Sequence, residues 1–347
     1  MKKTLTSLVI ITFFLTCLQI PCFATDAVNY KTGLLVDSYT DISEHFETTS
    51  TILTLPDSVD NTSFFPSPGD QGQQNSCVGW AVGYALKSGI EYRKREWTIS
   101  NYNHQFSPSY LYNQINNGTD GGASILDALD LLETQGCCTL PYFPYNQNNY
   151  TKQPTTRQMA NANLYKISEY HTLLGINQIK EKISQHYGVV IGIKIYSDFT
   201  NLSQTDSIFD DTSGNSQGQH AICLIGYDDA KSAFKFINSW GTDWGVNGYG
   251  WISYDAVVDA SPIFNFAIGY YIKTGADMYT MGDIDGNGVI SVMDSRLALI
   301  GANNPNDLTA EQFVLADVNG DAALNNSDAQ EILSAAAGHI TKFSIYQ

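Results

Sequence analysis

Basic residues are scarce in this chain. Its 347 residues include 18 Lys and Arg against 35 Asp and Glu, a formal net charge of −17. Nucleic acid and anionic membrane surfaces both call for clustered Lys and Arg, so the balance argues against either as a partner. Cysteine is scarce too, at 6 in all. Cys17 and Cys22 fall in a segment with the character of a secretory leader. Lys2 and Lys3 form its basic start, Leu8 to Leu18 a short apolar run, and Cys22-Phe23-Ala24 a small-residue site with the cut expected after Ala24. The cysteines left behind, Cys77, Cys137, Cys138 and Cys223, are too few for a disulfide framework in an exported chain of this size. Long apolar runs are missing as well, which excludes insertion in a membrane as a helix. Core material is plentiful: hydrophobic residues make up 43% and aromatics 12%, so disorder is not the default state.

Residues 25–54, after the leader, are polar and weakly patterned. From 55 to about 274 the chain alternates helical and strand-like signals. Val78, Ala81, Val82, Ala85, Leu86 and Ile90 share one helical face. Leu126 to Glu133 and Ile176 to Ile183 read as further amphipathic helices. Strands follow at Val189 to Tyr196, His220 to Tyr227, Phe234 to Asn238 and Gly248 to Tyr254. Helices first and strands later predict an α+β domain with its site between the two halves. A short linker, 275–280, leads to a duplicated unit at 281–341, and 342–347 form a tail. Within the unit, Asp283-Ile284-Asp285-Gly286-Asn287-Gly288 recurs as Asp317-Val318-Asn319-Gly320-Asp321-Ala322, an offset of 34 residues from 283 to 317.

Cys77 opens the first amphipathic helix. A thiol attacks as thiolate, and a helix N-terminus with an imidazolium nearby lowers its pKa. His220 heads an apolar strand, and Asn238 ends the next one, where an amide oxygen accepting from the imidazole N–H would fix ring and tautomer. Gln71, before the thiol, can offer its NH₂ to a developing oxyanion beside the Cys77 backbone N–H. The other cysteines and histidines lack such a context; Cys223, inside an apolar strand, reads as a small buried hydrophobe.

These blocks resemble the papain family of cysteine peptidases. The resemblance rests on Asp70-Gln71-Gly72 through Ser76-Cys77, Gly121-Gly122, Gly218-Gln219-His220-Ala221, Asn238-Ser239-Trp240-Gly241-Thr242-Asp243-Trp244-Gly245, and Asn247-Gly248-Tyr249-Gly250. It covers about residues 55–272. It implies a two-lobe domain, one lobe helical and one β-barrel-like, with Cys77 as nucleophile, His220 as general base and acid, Asn238 as orienter and Gln71 as oxyanion donor. Gly121 and Gly122 would pair with substrate backbone, and Ala123, Gly218 and Ala221 would line the main specificity pocket. Trp240 would shield the His220–Asn238 bond, and Trp244 would floor the primed side. The reaction implied is peptide-bond hydrolysis through a thioester, without a cofactor. Three departures stand out: Val78-Gly79 precede Trp80, where the family has Trp directly after the nucleophile; Gln74 replaces a disulfide cysteine; and Gln219 precedes the histidine. Residues 25–54 are also shorter than the family's usual helical prosegment.

The duplicated loops carry oxygen ligands at the spacing calcium requires. These are Asp283, Asp285, Asn287, the Val289 carbonyl, Ser291 and Asp294 in the first loop, and Asp317, Asn319, Asp321, the Ala323 carbonyl, Asn325 and Asp328 in the second. The pair resembles a dockerin, the all-α module that docks enzymes onto cohesins of a cellulosome scaffold. The resemblance implies two structural calcium ions and a cohesin-binding pair at Val292 and Met293. Ala322 stands where the first copy has Gly288, which predicts a weaker second site. The sequence therefore reads as a secreted, monomeric cysteine endopeptidase tethered to a cellulosome. Two readings compete with it: a catalytically weak papain-like domain acting as a binding or inhibitory module, and a cell-wall amidase.

Overall fold

A computed structural model describes residues 30–47, 54–202, 205, 208–263 and 266–346. The expected leader lies outside these residues. A short strand β1 (Leu34–Leu35) and a helix α1 (Tyr39–Ser43), capped by the Ser38 hydroxyl, precede strand β2 (Ser58–Asp60). The helix that Cys77 opens starts with π-type turns over Gly79–Lys87 and continues as α2 (Ser88–Arg95). Wide π turns recur at functional sites. Here they run against α3 (Pro108–Ile115), where Gly79 lies so close to the Pro108 carbonyl that a Cβ would collide with it.

Strand β3 (Ala123–Ser124) leads into α4 (Ile125–Thr134), capped by Ser124, and α5 (Thr156–Asn163) starts with a Thr155/Gln158 capping box. The second half runs β4 (Ile167–Leu174), α6 (Gly175–Ser184), β5 (Val189–Ile195), α7 (Ser197–Thr200), β6 (Ile208–Phe209), β7 (Gly218–Asp228), β8 (Ala233–Ile237), β9 (Tyr249–Ser253), α8 (Tyr254–Asp259) and β10 (Ile268–Thr274). The sheet has the order β4-β10-β5-β7-β8-β9-β6, with β2 also on β7, so its hydrogen-bonded path is open rather than a closed barrel among the described residues. Among the described strands of this sheet, β6 and β9 pair in parallel.

Strand β7 places the site. Its apolar run is buried on both faces, and alternation sorts its side chains between two cores. Ala221, Cys223 and Ile225 join the helical lobe's core, whereas Ile222 and Leu224 join an aromatic core with Phe199, Phe236, Trp240 and Trp244. His220 has the same parity as Ile222 and faces that aromatic side. The seam between the lobes therefore passes along the start of β7.

The C-terminal part is helical: α9 (Val292–Asn303), α10 (Ala310–Ala316) and α11 (Asn326–Ala336). Helices α9 and α11 meet at equivalent repeat positions, with the Ser295 hydroxyl donating to the Ala329 carbonyl at 2.8 Å. Met281, Phe313, Val318 and Ile345 belong to the same continuous apolar core as the helical lobe. The expected linker is pinned, because Lys94 and Arg95 both pair with Asp277, at 2.6 and 2.7 Å. Nor are residues 342–346 of the expected tail loose: Ile345 is buried and its N–H donates to the Val318 carbonyl.

Candidate active site

Two backbone contacts bring the separate sequence blocks together. The Gln71 N–H donates to the Ser239 carbonyl at 2.8 Å, and the Gly241 N–H to the Gly69 carbonyl at 2.9 Å. Gln71 is wholly buried. Its Oε1 accepts from the Ser239 hydroxyl at 2.6 Å, which turns Nε2 to donate to the Gln74 carbonyl at 2.8 Å and the Thr32 carbonyl at 3.3 Å. Ser239 is thus a positioning residue that the sequence reading quoted without giving it a role.

The imidazole tautomer follows from hydrogen-bond logic. Asn238 Oδ1 accepts from the Ser239 backbone N–H at 2.8 Å, and a backbone N–H can only donate, so this atom is the amide oxygen. The same oxygen lies 2.7 Å from His220 Nε2, which therefore carries the proton. Nδ1 is left as the basic nitrogen and has no hydrogen-bond partner. The ring lies 4.7 Å from Trp240 and 5.9 Å from Phe199, centroid to centroid. Burial pulls His220 down to about 4, the Asn238 bond opposing the shift. Burial likewise pushes the Cys77 thiol up to about 12, against the backbone amide of Ala221 and others beside it. Both shifts favour the neutral form of the group concerned.

Residues 30–37 run along the same seam, past Gln71, Gln219 and Trp240. Tyr30 stacks on Trp240 at 4.4 Å, and Trp240 Nε1 donates to the Lys31 carbonyl at 2.8 Å. The Gly33 N–H donates to the Gln219 carbonyl at 3.2 Å, and the Ala123 N–H to the Gly33 carbonyl at 2.8 Å. Gly122, at φ +104°, comes so close to that carbonyl that a Cβ would collide with it. Leu34 is buried against Ala123, Gly192 and Ile125, and β1 pairs with β3 in parallel. Asp37 accepts from the Ser124 hydroxyl at the far end. The short polar segment gave no sequence sign of this, because its hold is mostly through backbone.

The other expected subsite residues scatter. Ala221 is buried on the Cys77 side of β7, Gly218 lies half-buried against Thr32, and Gly121 is exposed. Trp240 covers the His220 ring. Trp244 is 2% exposed and packs with Phe199, Phe236 and Trp240 in the aromatic core. Two departures also have structural partners. Gln74 Nε2 donates to the carbonyls of Asn146 and Gln147, at 3.4 and 3.3 Å, in place of a disulfide. Trp80 packs on Tyr84 and Tyr145 and backs Gly69, where a Cβ would strike its ring. Cys137, Cys138 and Cys223 are buried free thiols.

In the C-terminal loops, carboxylate oxygens of Asp283, Asp285 and Asp294 lie within 4.8 Å of one another. Asn287 Oδ1 accepts from the Val289 N–H, and Ser291 caps α9 with Asp294. In the second loop, Asp317 accepts from the Gly320, Asp321 and Ala322 amides, Asn319 from Asp321, Asp321 from Ala323, and Asn325 from Ser327. Ala322 does adopt the left-handed backbone, at φ 65°. Asp328 is fully buried, and its Oδ1 has no hydrogen-bond partner of good geometry. Val292 and Met293 are exposed on the first turn of α9, at 66% and 50%.

A thiol at the start of a helix, packed along a strand that carries an amide-oriented imidazole, defines a two-lobe α+β thiol hydrolase. The sequence profile of the papain family cysteine proteases matches residues 55–263, and the chain belongs to that family. Similar proteins include an uncharacterized peptidase C1-like protein of Acanthamoeba polyphaga mimivirus, 26% identical over 236 residues, which are 62% of this chain and 71% of that one. Another is gamete and mating-type specific protein A of Dictyostelium discoideum, 30% identical over 193 residues, 55% of this chain but only 41% of that protein. Among solved structures, xylellain, a cysteine protease from Xylella fastidiosa, superposes with a TM-score of 0.61 at 23% identity, covering 71% of this chain and 96% of that one. At that identity the likeness speaks for the fold alone.

Proposed function

We propose that the protein is a secreted cysteine endopeptidase, kept latent by its own residues 30–47 and carrying a calcium-dependent C-terminal docking module. The observation that carries the enzymatic part is the amide orientation of Asn238, which leaves His220 Nδ1 as the basic, unpartnered nitrogen. In the reaction, His220 Nδ1 takes the Cys77 proton as sulfur attacks the scissile carbonyl carbon. The carbonyl oxygen gains charge beside Gln71 Nε2, the donor that Thr32 now occupies. The proton passes to the leaving amine, the C–N bond breaks and a thioester remains. Water, deprotonated by His220, then attacks the thioester, and the acid product leaves as the thiol is restored.

The bound segment resembles a substrate with reversed polarity. By the resemblance, a substrate's N-terminal half would pair with Gly122 and its C-terminal half would run toward Trp244 and its neighbour Trp240. Here Tyr30 sits on Trp240 and Leu34 beside Ala123, the opposite order. A chain so placed covers the oxyanion donor without presenting a peptide bond in the cleavable sense. The apolar surroundings of Leu34, which include Ile125, Gly192, Ile268 and Tyr270, support a preference for a branched apolar side chain at that subsite. Peptide turnover by the full chain, before and after a cut between 47 and 54, tests the reading. The weak-module alternative requires that the cut release no alkylator-sensitive hydrolysis.

The C-terminal loops fit calcium. Their donors are all oxygens, as a hard divalent cation requires, and the buried Asp328 Oδ1, which lacks a hydrogen bond of good geometry, could take up a cation. The first loop would hold the ion through Asp283, Asp285, Asn287, Ser291 and Asp294, the second through Asp317, Asn319, Asp321, Asn325 and Asp328. Bound calcium would neutralise the gathered carboxylates and fix the starts of α9 and α11. The exposed Val292 and Met293 on α9 support docking to a cohesin of a cellulosome scaffold through the first repeat.

A further inference from the structure

The two halves of the C-terminal module differ in what surrounds them. In the first loop, the donors to the Asp283, Asp285 and Asp294 carboxylates all come from the loop itself. A Cβ on Gly286 or Gly288 would meet nothing within 4 Å. The second loop is covered by the peptidase domain. Asp317 is 1% exposed, and beyond its loop amides it has a donor for which Asp283 shows no counterpart: the hydroxyl of Tyr142, 2.7 Å from Oδ2. Asn103 Nδ2 donates to the Asn319 carbonyl at 3.2 Å. Nearby, the Arg157 guanidinium lies 3.8 Å over the ring of Phe313 on α10, and Gly320 packs on Ile345. Tyr142 is itself buried, in the turn between α4 and α5.

We infer that the second loop is a joint, at which calcium binding and attachment of the module to the peptidase domain are a single equilibrium, with Tyr142 as its positioning residue. The inference rests on the calcium reading of the two loops. A neutral hydroxyl that donates to the outer oxygen of a ligating carboxylate fixes its direction and polarises it, and removing such a partner weakens metal binding by about 10- to 100-fold. Tyr142 belongs to the peptidase domain, so whatever strengthens the ion's hold on Asp317 strengthens the contact between the parts, and by reciprocity docking tightens calcium. The covered loop also separates the duties of the two repeats. The second anchors the module inward, leaving the first loop and α9 to meet an outside partner. Internal symmetry therefore does not give two interchangeable docking faces.

Calcium titration calorimetry of the full chain tests this, with Cys77→Ser throughout to prevent self-digestion. The parent should show two binding events. Tyr142→Phe, which deletes one oxygen and preserves the ring, should weaken one event about 10- to 100-fold and leave the other unchanged. Asp283→Asn should weaken the event that Tyr142→Phe spares. Arg157→Ala, which removes the guanidinium packed on Phe313 and bonded to the Pro305 carbonyl, should weaken the same event as Tyr142→Phe, because it loosens the docking to which that site is coupled. Two unaltered events in Tyr142→Phe would overturn the joint while leaving the calcium reading intact, and equal weakening of both would overturn it as well. A parent chain that binds no calcium would remove the calcium reading and the joint together.

Discussion

Asn238 shows how a single backbone donor decides the chemistry of a side chain two bonds away. The Ser239 N–H fixes which end of the amide faces His220, and that fixes which imidazole nitrogen is basic. Loss of this bond to a transient imidazolium should cost about 1.5–3 kcal/mol, so Asn238→Ala should lower kcat/KM roughly 10- to 150-fold. Cys77→Ala should leave no turnover at all, and steady-state peptide kinetics separate the two. A pH effect follows from His220. In the covered cleft the ring takes its proton only near pH 4, whereas a solvated imidazole does so near 6.5. Between those values the uncovered or unfolded chain binds more protons than the covered one, so acidification favours release of residues 30–37. Stability contributed by the neutral ring is full above about 6.5 and is lost as pH falls toward 4. Hydrogen exchange at the Gly33 amide should speed up across that window; exchange independent of pH, after correction for intrinsic rates, would contradict the assignment.

At the scale of elements, β7 carries the architecture, and its reading from sequence was direct because a run such as Ala221-Ile222-Cys223-Leu224-Ile225 can only be a doubly buried strand or a buried helix segment. The amphipathic stretches at α4 and α6 were legible for the same reason: one face is apolar. Strands β4 and β10 were not. Ile167–Leu174 alternates buried residues with Glu169 and His171, and tertiary pairing with β10 overrides the weak pattern. The π turns after Cys77 were equally hidden, since they arise from close packing on α3. Catalytic residues were readable because their chemistry restricts residue type, whereas the segment crossing the cleft binds through carbonyls and amides that any sequence supplies. Its side chains add to this hold, Tyr30 on Trp240, Asp37 at Ser124 and Leu34 in its pocket. Leu34 is buried at 7% exposure, and Leu34→Asp would place a carboxylate in an apolar pocket. The unprocessed Leu34→Asp chain should hydrolyse peptides that the unprocessed parent leaves intact; silence from a folded variant would mean that the segment's backbone alone holds the cleft closed.

The described residues build two apolar cores that meet at β7, with a segment laid across the cleft and a helical module docked on the helical lobe. The net charge of −17 owes part to the six aspartates gathered in the two loops that would hold calcium, Asp283, Asp285, Asp294, Asp317, Asp321 and Asp328. Chelation should therefore reduce helix content near α9 and α11 and lower the thermal midpoint of the full chain, read by circular dichroism; an unchanged melt would mean that calcium is not structural. The most direct test of the central claim uses the full chain with a specific protease site introduced between residues 47 and 54. Peptide hydrolysis is measured before the cut, after it, and after it with a thiol alkylator. The account predicts little turnover before the cut, strong turnover after it, and none once Cys77 is alkylated. Turnover that the cut does not raise, or that survives alkylation, would contradict it.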